Sequence, residues 1–143
     1  MSKIMPAEDA IALIQPGDVL AVSGYGTNGV PEKLLAELQG RCKEAGTPDG
    51  LTLVFAGGIG DAKDRGLNRL GHETLLKRVI AGHYGLIPAI ERLAVDNKIE
   101  AYNLPEGVIT HLYRDIAAGK PGTLSKVGLD TFVDPRIEGA KVN

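Results

Sequence analysis

The 143-residue sequence has one cysteine, no tryptophan and no long apolar run. With Cys42 alone, no internal disulfide can form, and its charged neighbours favour an incidental thiol over a nucleophile. No apolar run approaches the roughly 18 residues that a membrane span requires. The first ten residues also lack the basic-then-apolar pattern of a signal peptide. We therefore expect no membrane association and a cytoplasmic location.

An excess of charge of one sign is also lacking. The formal net charge is −2, and no cluster of Lys and Arg is interleaved with aromatic residues, which argues against nucleic-acid binding. The histidines, His72, His83 and His111, do not have the spacing of metal ligands, so no metal site is predicted. The balance of 43% hydrophobic and 24% charged residues is typical of one globular domain.

Glycine, by contrast, is abundant and clustered. The chain has 19 glycines, which group between apolar runs and follow no fixed period, and this indicates tight loops rather than a flexible linker. The apolar runs alternate between strand-like and helix-like patterns. This alternation predicts an α/β fold with an open, mostly parallel sheet and helices on both faces.

The predicted elements follow from this periodicity. Strands are predicted at 18–22, 51–56, 78–81 and 98–102, and helices at 6–14, 31–39 and 88–95. A last helix, with Val108, Leu112 and Ile116 on one face, is predicted to end near Gly119. The helix at 31–39 is expected to bury a stripe formed by Leu34, Leu35 and Leu38. The polar stretch 61–71 is predicted to cross the surface.

Three successive strands run into glycine-rich loops, at Gly24–Gly29, Gly57–Gly60 and Gly82–Gly85. In an open parallel sheet, ligands bind outside the carboxyl ends of the strands. Glycines there allow backbone N–H groups to approach a ligand closely. The three loops therefore predict a ligand site at this edge, and His83 is a candidate for contact with the ligand.

The first loop also resembles two known motifs, a dinucleotide fingerprint and a nucleophile elbow, but it matches neither completely. Gly24, Gly26 and Gly29 have the spacing of a dinucleotide fingerprint. However, Pro31 starts the helix after the last glycine, and no acidic residue for a ribose follows the second strand before Asp61. Ser23 is not a nucleophile elbow either, because that motif requires glycines two residues before and after the serine.

The last part of the chain has a different character. From Lys120 onward, glycine and proline recur, apolar residues are isolated and no period is present. Such a segment is uncommon in a compact domain unless it is a functional loop or leads into another part of the protein. We therefore predict an α/β core at 1–119 and an irregular extension at 120–143 that leads toward an absent second half.

Motifs along nearly the whole chain resemble the amino-terminal domain of family I coenzyme A transferases, most closely the single-chain acetate/propionate type. In chain order, these motifs are Gly17–Pro31, Gly57–Gly60, Gly82–Gly85, Glu100–Pro105, Arg114–Gly122 and Gly128–Arg136. The resemblance implies that coenzyme A moves from an acyl-CoA to a short-chain carboxylate through a covalent glutamyl intermediate. Coenzyme A is then a substrate, and no permanently bound cofactor is expected.

The resemblance also implies what this chain does not carry. The family's nucleophilic glutamate lies in a second half, carboxyl-terminal to all the motifs found here, and no position of this sequence matches it. We therefore expect no catalytic residue in this chain and no activity from the chain alone. The implied partners are an acyl-CoA, a small carboxylate and the carboxyl-terminal half, in the same longer chain or in another subunit, and a homo-oligomer is expected.

The loops and the resemblance together predict a substrate pocket. Its predicted residues are Gly24, Tyr25, Gly26, Asn28, Gly29, Gly57, Gly58, His83, Glu106 and Gly107. Relatives commonly have glutamine in place of Glu106. An amide can donate a hydrogen bond to a carbonyl, whereas a carboxylate can only accept one. Alternatively, Glu106 has only a structural role, because the helix dipole stabilises a carboxylate in the first turn of a helix.

Two other functions stay open at the level of sequence. One is a nucleotide-cofactor binding module without chemistry, which the spacing of the first glycines allows. The other is a non-catalytic fragment that associates with itself or a partner, which the irregular extension allows. Neither requires a nucleophile within the chain.

Overall fold

The computed structural model describes residues 4–143; the first three residues, part of the segment inspected for a signal peptide, lie outside the described region. The strands are β1 (Val19–Ala21), β2 (Leu51–Phe55), β3 (Leu76–Ala81) and β4 (Glu100–Asn103). The α-helices are α1 (Ala7–Ala12), α2 (Glu32–Ala45), α3 (Pro88–Val95) and α4 (Glu106–Ala117). Two 3₁₀ helices lie at Leu67–Leu70 and Pro135–Ile137.

The four strands form one parallel sheet in the order β1-β2-β3-β4. Leu20, Leu53, Val79 and Ala101 are in register across the sheet. Leu53, Val79 and Ala101 are fully buried, and Leu20 packs against the same hydrophobic core. The predicted α/β fold with a parallel sheet is confirmed.

The two faces of the sheet are covered by different elements. On one face, the core of the protein joins side chains of the strands to those of α1, α2, α3 and the first 3₁₀ helix. Neighbouring residues of a strand point to opposite faces, so Val54 points away from this core. On that second face lies α4, whose Tyr113 hydroxyl donates to the Val54 carbonyl oxygen at 3.2 Å. β1 is an open edge of the sheet, and Val19 is 70% exposed.

Helix α2 differs from its prediction in length and in its buried face. It continues through Gly40 to Ala45, whereas the predicted helix ended at 39. It ends at Gly46, which adopts a left-handed conformation with φ of 67°. The predicted burial of Leu34 is wrong, because the buried stripe follows Leu35, Leu38 and Cys42 and leaves Leu34 on the flank, 37% exposed. Cys42 is a buried core thiol.

The segment 61–71 crosses the surface only in its first half, where residues 62–65 are exposed as predicted, and its second half turns into the core. It contains the first 3₁₀ helix, in which Leu67 and Leu70 are fully buried. Asn68 is buried with them, and its amide joins the segment to the loop before α3 and to α3 itself, because it donates to the Leu86 carbonyl at 3.1 Å and accepts from the Ala89 N–H at 3.3 Å.

Glu32, the first residue of α2, fastens this segment to the helix. Its carboxylate accepts from the Arg69 Nε at 2.6 Å and from the Gly66 N–H at 2.9 Å. Burial by itself raises the pKa of Glu32, but these two hydrogen bonds and the charge of Arg69 outweigh it, so the pKa lies below its ordinary value of 4.5. The ionised carboxylate is therefore favoured in the folded state.

We expect Glu32→Gln to lower the free energy of unfolding at neutral pH by about 2 kcal/mol, as for other hydrogen bonds to charged groups. Because the folded-state pKa is lowered, this stability is fully present above the ordinary pKa of 4.5 and is lost as pH falls through the lower folded value. Urea unfolding at neutral and acidic pH measures both effects. Glu37→Gln, which breaks only an exposed pair with Lys33, is the control. Equal losses in the two variants would contradict this prediction.

Residues 120–143 have little regular structure, yet they are tied to the domain. Asn103 N–H donates to the Ala140 carbonyl at 2.7 Å and Val142 N–H to the Ala101 carbonyl at 2.8 Å, so this end of the segment lies along the open edge of β4. Asp134 is buried. Its pKa lies well below the usual range because it is bound to the Arg136 guanidinium and accepts from backbone N–H groups.

Candidate functional site

The first and second glycine loops meet at the carboxyl ends of β1 and β2. Gly26 N–H donates to the Gly58 carbonyl at 2.8 Å. The Tyr25 ring lies over Gly57, where an added Cβ would be 3.0 Å from the ring carbon Cδ2. Tyr25 and Asn28 close the first loop with reciprocal backbone hydrogen bonds of 3.1 and 2.9 Å. The two loops therefore form one surface.

The third loop joins this surface through His83. A Cβ on Gly58 would lie 2.6 Å from the His83 Nδ1, and one on Gly85 would lie 2.9 Å from its Cε1. The imidazole thus lies against two backbone segments that only glycine leaves accessible at this distance. The sequence predicts His83 at this edge, and the structure places its imidazole between Gly58 of the second loop and Gly85 of its own loop.

The start of α4 completes the arrangement. A Cβ on Gly82 would clash with the Ala56 carbonyl oxygen and the Glu106 Cγ, and would lie 3.1 Å from the Glu106 Cα. Asn103, the last residue of β4, donates through its side-chain amide to the Gly82 carbonyl at 2.9 Å and the Ala81 carbonyl at 3.3 Å. The sequence analysis missed Asn103, although a polar residue at a strand end was the available signal.

The predicted site residues therefore form a ridge along the carboxyl edge of the sheet. Most of them touch a neighbouring loop through contacts described above. Gly29 and Gly107 lie at the borders, with open space where a Cβ would be. Gly24 needs its glycine, because its φ is 147° and an added Cβ would lie 3.2 Å from the Asn28 carbonyl oxygen. Helix α2 begins at Glu32, after the last glycine of the first loop, as predicted.

Unpaired backbone amides lie at the centre of this ridge. Gly57, Gly58 and Ile59 are buried, and within residues 4–143 their N–H groups have no hydrogen-bond acceptor. More than nine in ten buried backbone N–H groups in folded proteins are paired. Three successive buried donors without acceptors are therefore suited to hold an oxygen atom that carries negative charge.

A cavity of about 470 Å³ opens beside the ridge, at the ends of β3 and β4. It is lined by Gly82, His83, Tyr84, Asn103, Phe132, Ala140, Lys141 and Val142. The Tyr84 hydroxyl donates to the Tyr102 carbonyl at 2.9 Å, and burial raises the pKa of this phenol. The volume of the cavity lies within the range of small-molecule sites. The extension at 120–143 therefore contributes walls to this cavity, although none of the pocket residues predicted from the sequence lies in that extension.

Residues 4–143 contain no group of three or more His, Cys, Asp or Glu side chains that could hold a metal ion. His111 is exposed on α4, and burial, helped by the charge of Lys43, lowers the pKa of His72. Among the described helices, none has the length and apolar character to cross a membrane.

Comparison with known proteins gives a consistent family. The family model described as Coenzyme A transferase matches residues 4–142. Caffeate CoA-transferase of Acetobacterium woodii is 42% identical over 143 residues, which are 100% of this chain and 27% of that protein. The apoenzyme structure of the acyl-CoA transferase YdiF from Escherichia coli O157:H7 superposes with a TM-score of 0.92 at 40% identity, covering 98% of this chain and 27% of that one.

The chain thus spans about a quarter of the length of these relatives. A relative made of separate subunits is matched in its alpha subunit. Acetate CoA-transferase subunit alpha of Escherichia coli K12 is 28% identical over 135 residues, 93% of this chain and 57% of that subunit.

Proposed function

The chain belongs to the coenzyme A transferase family, and from this we propose that it supplies the acyl-binding part of an enzyme that moves coenzyme A from an acyl-CoA to a short-chain carboxylate. The chain matches about a quarter of the length of the long relatives and also matches a separate alpha subunit. Both matches support a complete enzyme in which this chain and a second, carboxyl-terminal part have different roles. The remaining part would carry a nucleophilic glutamate. Coenzyme A enters as a substrate.

The observation that carries this proposal is the set of unpaired amides at Gly57, Gly58 and Ile59. In the proposed reaction, the glutamate carboxylate attacks the thioester carbonyl, whose oxygen becomes an oxyanion. Collapse expels the coenzyme A thiolate and leaves an acyl–glutamyl anhydride. The thiolate then attacks the glutamyl carbonyl, which releases the acyl group as a free carboxylate and leaves a glutamyl–CoA thioester. The acceptor carboxylate takes coenzyme A from this thioester by the same two steps in reverse. Amides held in place before the reaction stabilise such oxyanions without reorganisation.

The cavity beside the ridge supports the same proposal. It adjoins the amides through His83, which touches Gly58 and lines the cavity. In this proposal, the acyl chain of a thioester bound at the amides occupies this cavity. The proposal extends to a homo-oligomeric, cytoplasmic enzyme with no permanently bound cofactor, in which the ridge of this chain faces the second half.

A chimera tests this function. It consists of this chain followed by the part of YdiF that lies carboxyl-terminal to the matched region. We expect the chimera to form propionyl-CoA from acetyl-CoA and propionate, intact mass spectrometry to detect a covalent coenzyme A adduct, and peptide mapping to locate the adduct in the YdiF part. The YdiF part alone is the control. A folded chimera with no exchange and no covalent adduct would refute the proposed function.

A further inference from the structure

We infer that Glu106 determines the substrate class, and that it favours short-chain acids that carry a hydrogen-bond donor, a hydroxyl or an ammonium group, near the carboxyl end. This inference rests on the proposed function and deepens it. The juxtaposition that supports it is an acceptor-only side chain held beside three donor-only amides at one edge of the sheet.

The position of Glu106 is set by its neighbours. It is the first residue of α4, and its Cα and Cγ pack against Gly82 so closely that no Cβ fits at that glycine. Gly82 is in turn fixed by hydrogen bonds from its N–H to the Phe55 carbonyl at 3.3 Å and the Ala56 carbonyl at 3.1 Å. These contacts place Glu106 next to the end of β2, where the unpaired amides begin.

The carboxylate itself has no partner in the structure. Glu106 is exposed, and within residues 4–143 its carboxylate makes no hydrogen bond and no ion pair. By contrast, Glu32, at the start of α2, is bound by Arg69 and the Gly66 N–H. Both glutamates lie in a first helical turn, so the helix dipole alone does not distinguish them. Glu106 is free to bind a ligand at the ridge.

The chemistry of a carboxylate restricts that ligand. The amide N–H groups donate hydrogen bonds to an oxygen of the substrate, whereas the Glu106 carboxylate can only accept hydrogen bonds and repels a second negative charge. An unsubstituted acid gives it nothing to accept. An acid with a hydroxyl or ammonium group on a nearby carbon offers the missing donor while its carboxyl or thioester oxygen binds the amides. Sites built to pair a polar substrate group discriminate strongly against analogues that lack it.

Three acids of matched length test this inference: propionate, 3-hydroxypropionate and β-alanine. Each is titrated into the 143-residue chain and into Glu106→Gln, and the NMR shifts of the Gly57, Gly58 and Gly82 amides report binding. We expect the native chain to bind a donor-bearing acid more tightly than propionate by roughly tenfold or more, and Glu106→Gln to abolish this preference. Glu91→Gln, the same change in the first turn of α3, is the control and is expected to keep it.

The same ratio is then measured as kcat/KM with the chimera. An unchanged preference in Glu106→Gln, a preference for propionate in the native chain, or no shift with any acid would overturn the inference. These outcomes are separable from failure of the proposed function. A chimera that exchanges coenzyme A with equal preference in both versions keeps the function and removes the role of Glu106. The two donor-bearing acids distinguish a hydroxyl-binding site from an ammonium-binding site.

Discussion

The 143-residue chain alone is expected to form no measurable propionyl-CoA from acetyl-CoA and propionate. Its ridge offers unpaired N–H donors and a cavity, but the glutamate that the proposed reaction requires belongs to the proposed second half. Removing the nucleophile of a covalent mechanism costs on the order of 10⁴-fold or more, and oriented binding recovers only part of the acceleration. We expect a deficit of that size relative to the chimera, measured by chromatography of the acyl-CoA products.

Mixing this chain with a separately expressed second part tests the same expectation more directly. The YdiF part of the chimera, expressed separately, is added to this chain at increasing concentration. We expect activity to rise with the concentration of the added part and to saturate when the two parts are fully associated. Turnover by the purified chain at a rate near that of the chimera would mean that a nucleophile lies within these residues, and would contradict the proposed division.

Gly82→Ala is expected to reduce kcat/KM of the chimera by about 100-fold or more. The added methyl group would overlap the Ala56 carbonyl oxygen and the Glu106 side chain, so either β2 or the start of α4 must move. Both flank the amides of the second loop. A displacement of about 1 Å in a site of this kind is enough for such a loss, because the donors no longer meet the developing oxyanion.

Gly40→Ala is the matched control for this substitution. Gly40 lies inside α2 with open space around its Cα, and alanine there raises helix propensity by about 1 kcal/mol. We expect its melting temperature to stay the same or rise, with activity unchanged. Circular dichroism separates a lost site from a lost fold in Gly82→Ala. Full activity in a folded Gly82→Ala chimera would contradict the tight contact that the structure describes.

The fold was predictable where local signals agree. α3 is predicted at its observed bounds because Pro88 suits a first helical position and an apolar stripe follows. α2 was predicted too short because Gly40 resembles a stop signal, although burial of Cys42 continues the helix past it. The first 3₁₀ helix has no periodicity to detect. Its two buried leucines are fixed by packing against residues far away in the sequence.

The location of the candidate site was predictable from topology alone, because parallel strands bring their carboxyl ends to one edge. The contacts within it were not. That His83 lies over Gly58 depends on the register of β2 and β3 and on the conformation of both loops. Phe132 reaches the cavity through the irregular extension, in which no periodic pattern exists. Secondary-structure propensity describes one helix or strand at a time, whereas these contacts join segments that are far apart in the sequence.

The order of the strands has a consequence for how the chain folds. β1, β2, β3 and β4 lie side by side in the order in which a ribosome delivers them, and each joins the edge left by the one before. All neighbouring strands of this sheet are parallel, so none of them is joined by a hairpin. Each strand can pair only after the connection that precedes it has crossed over the sheet. Residues 140–143 then close the last edge. Synthesis and assembly can therefore proceed in step, one strand at a time.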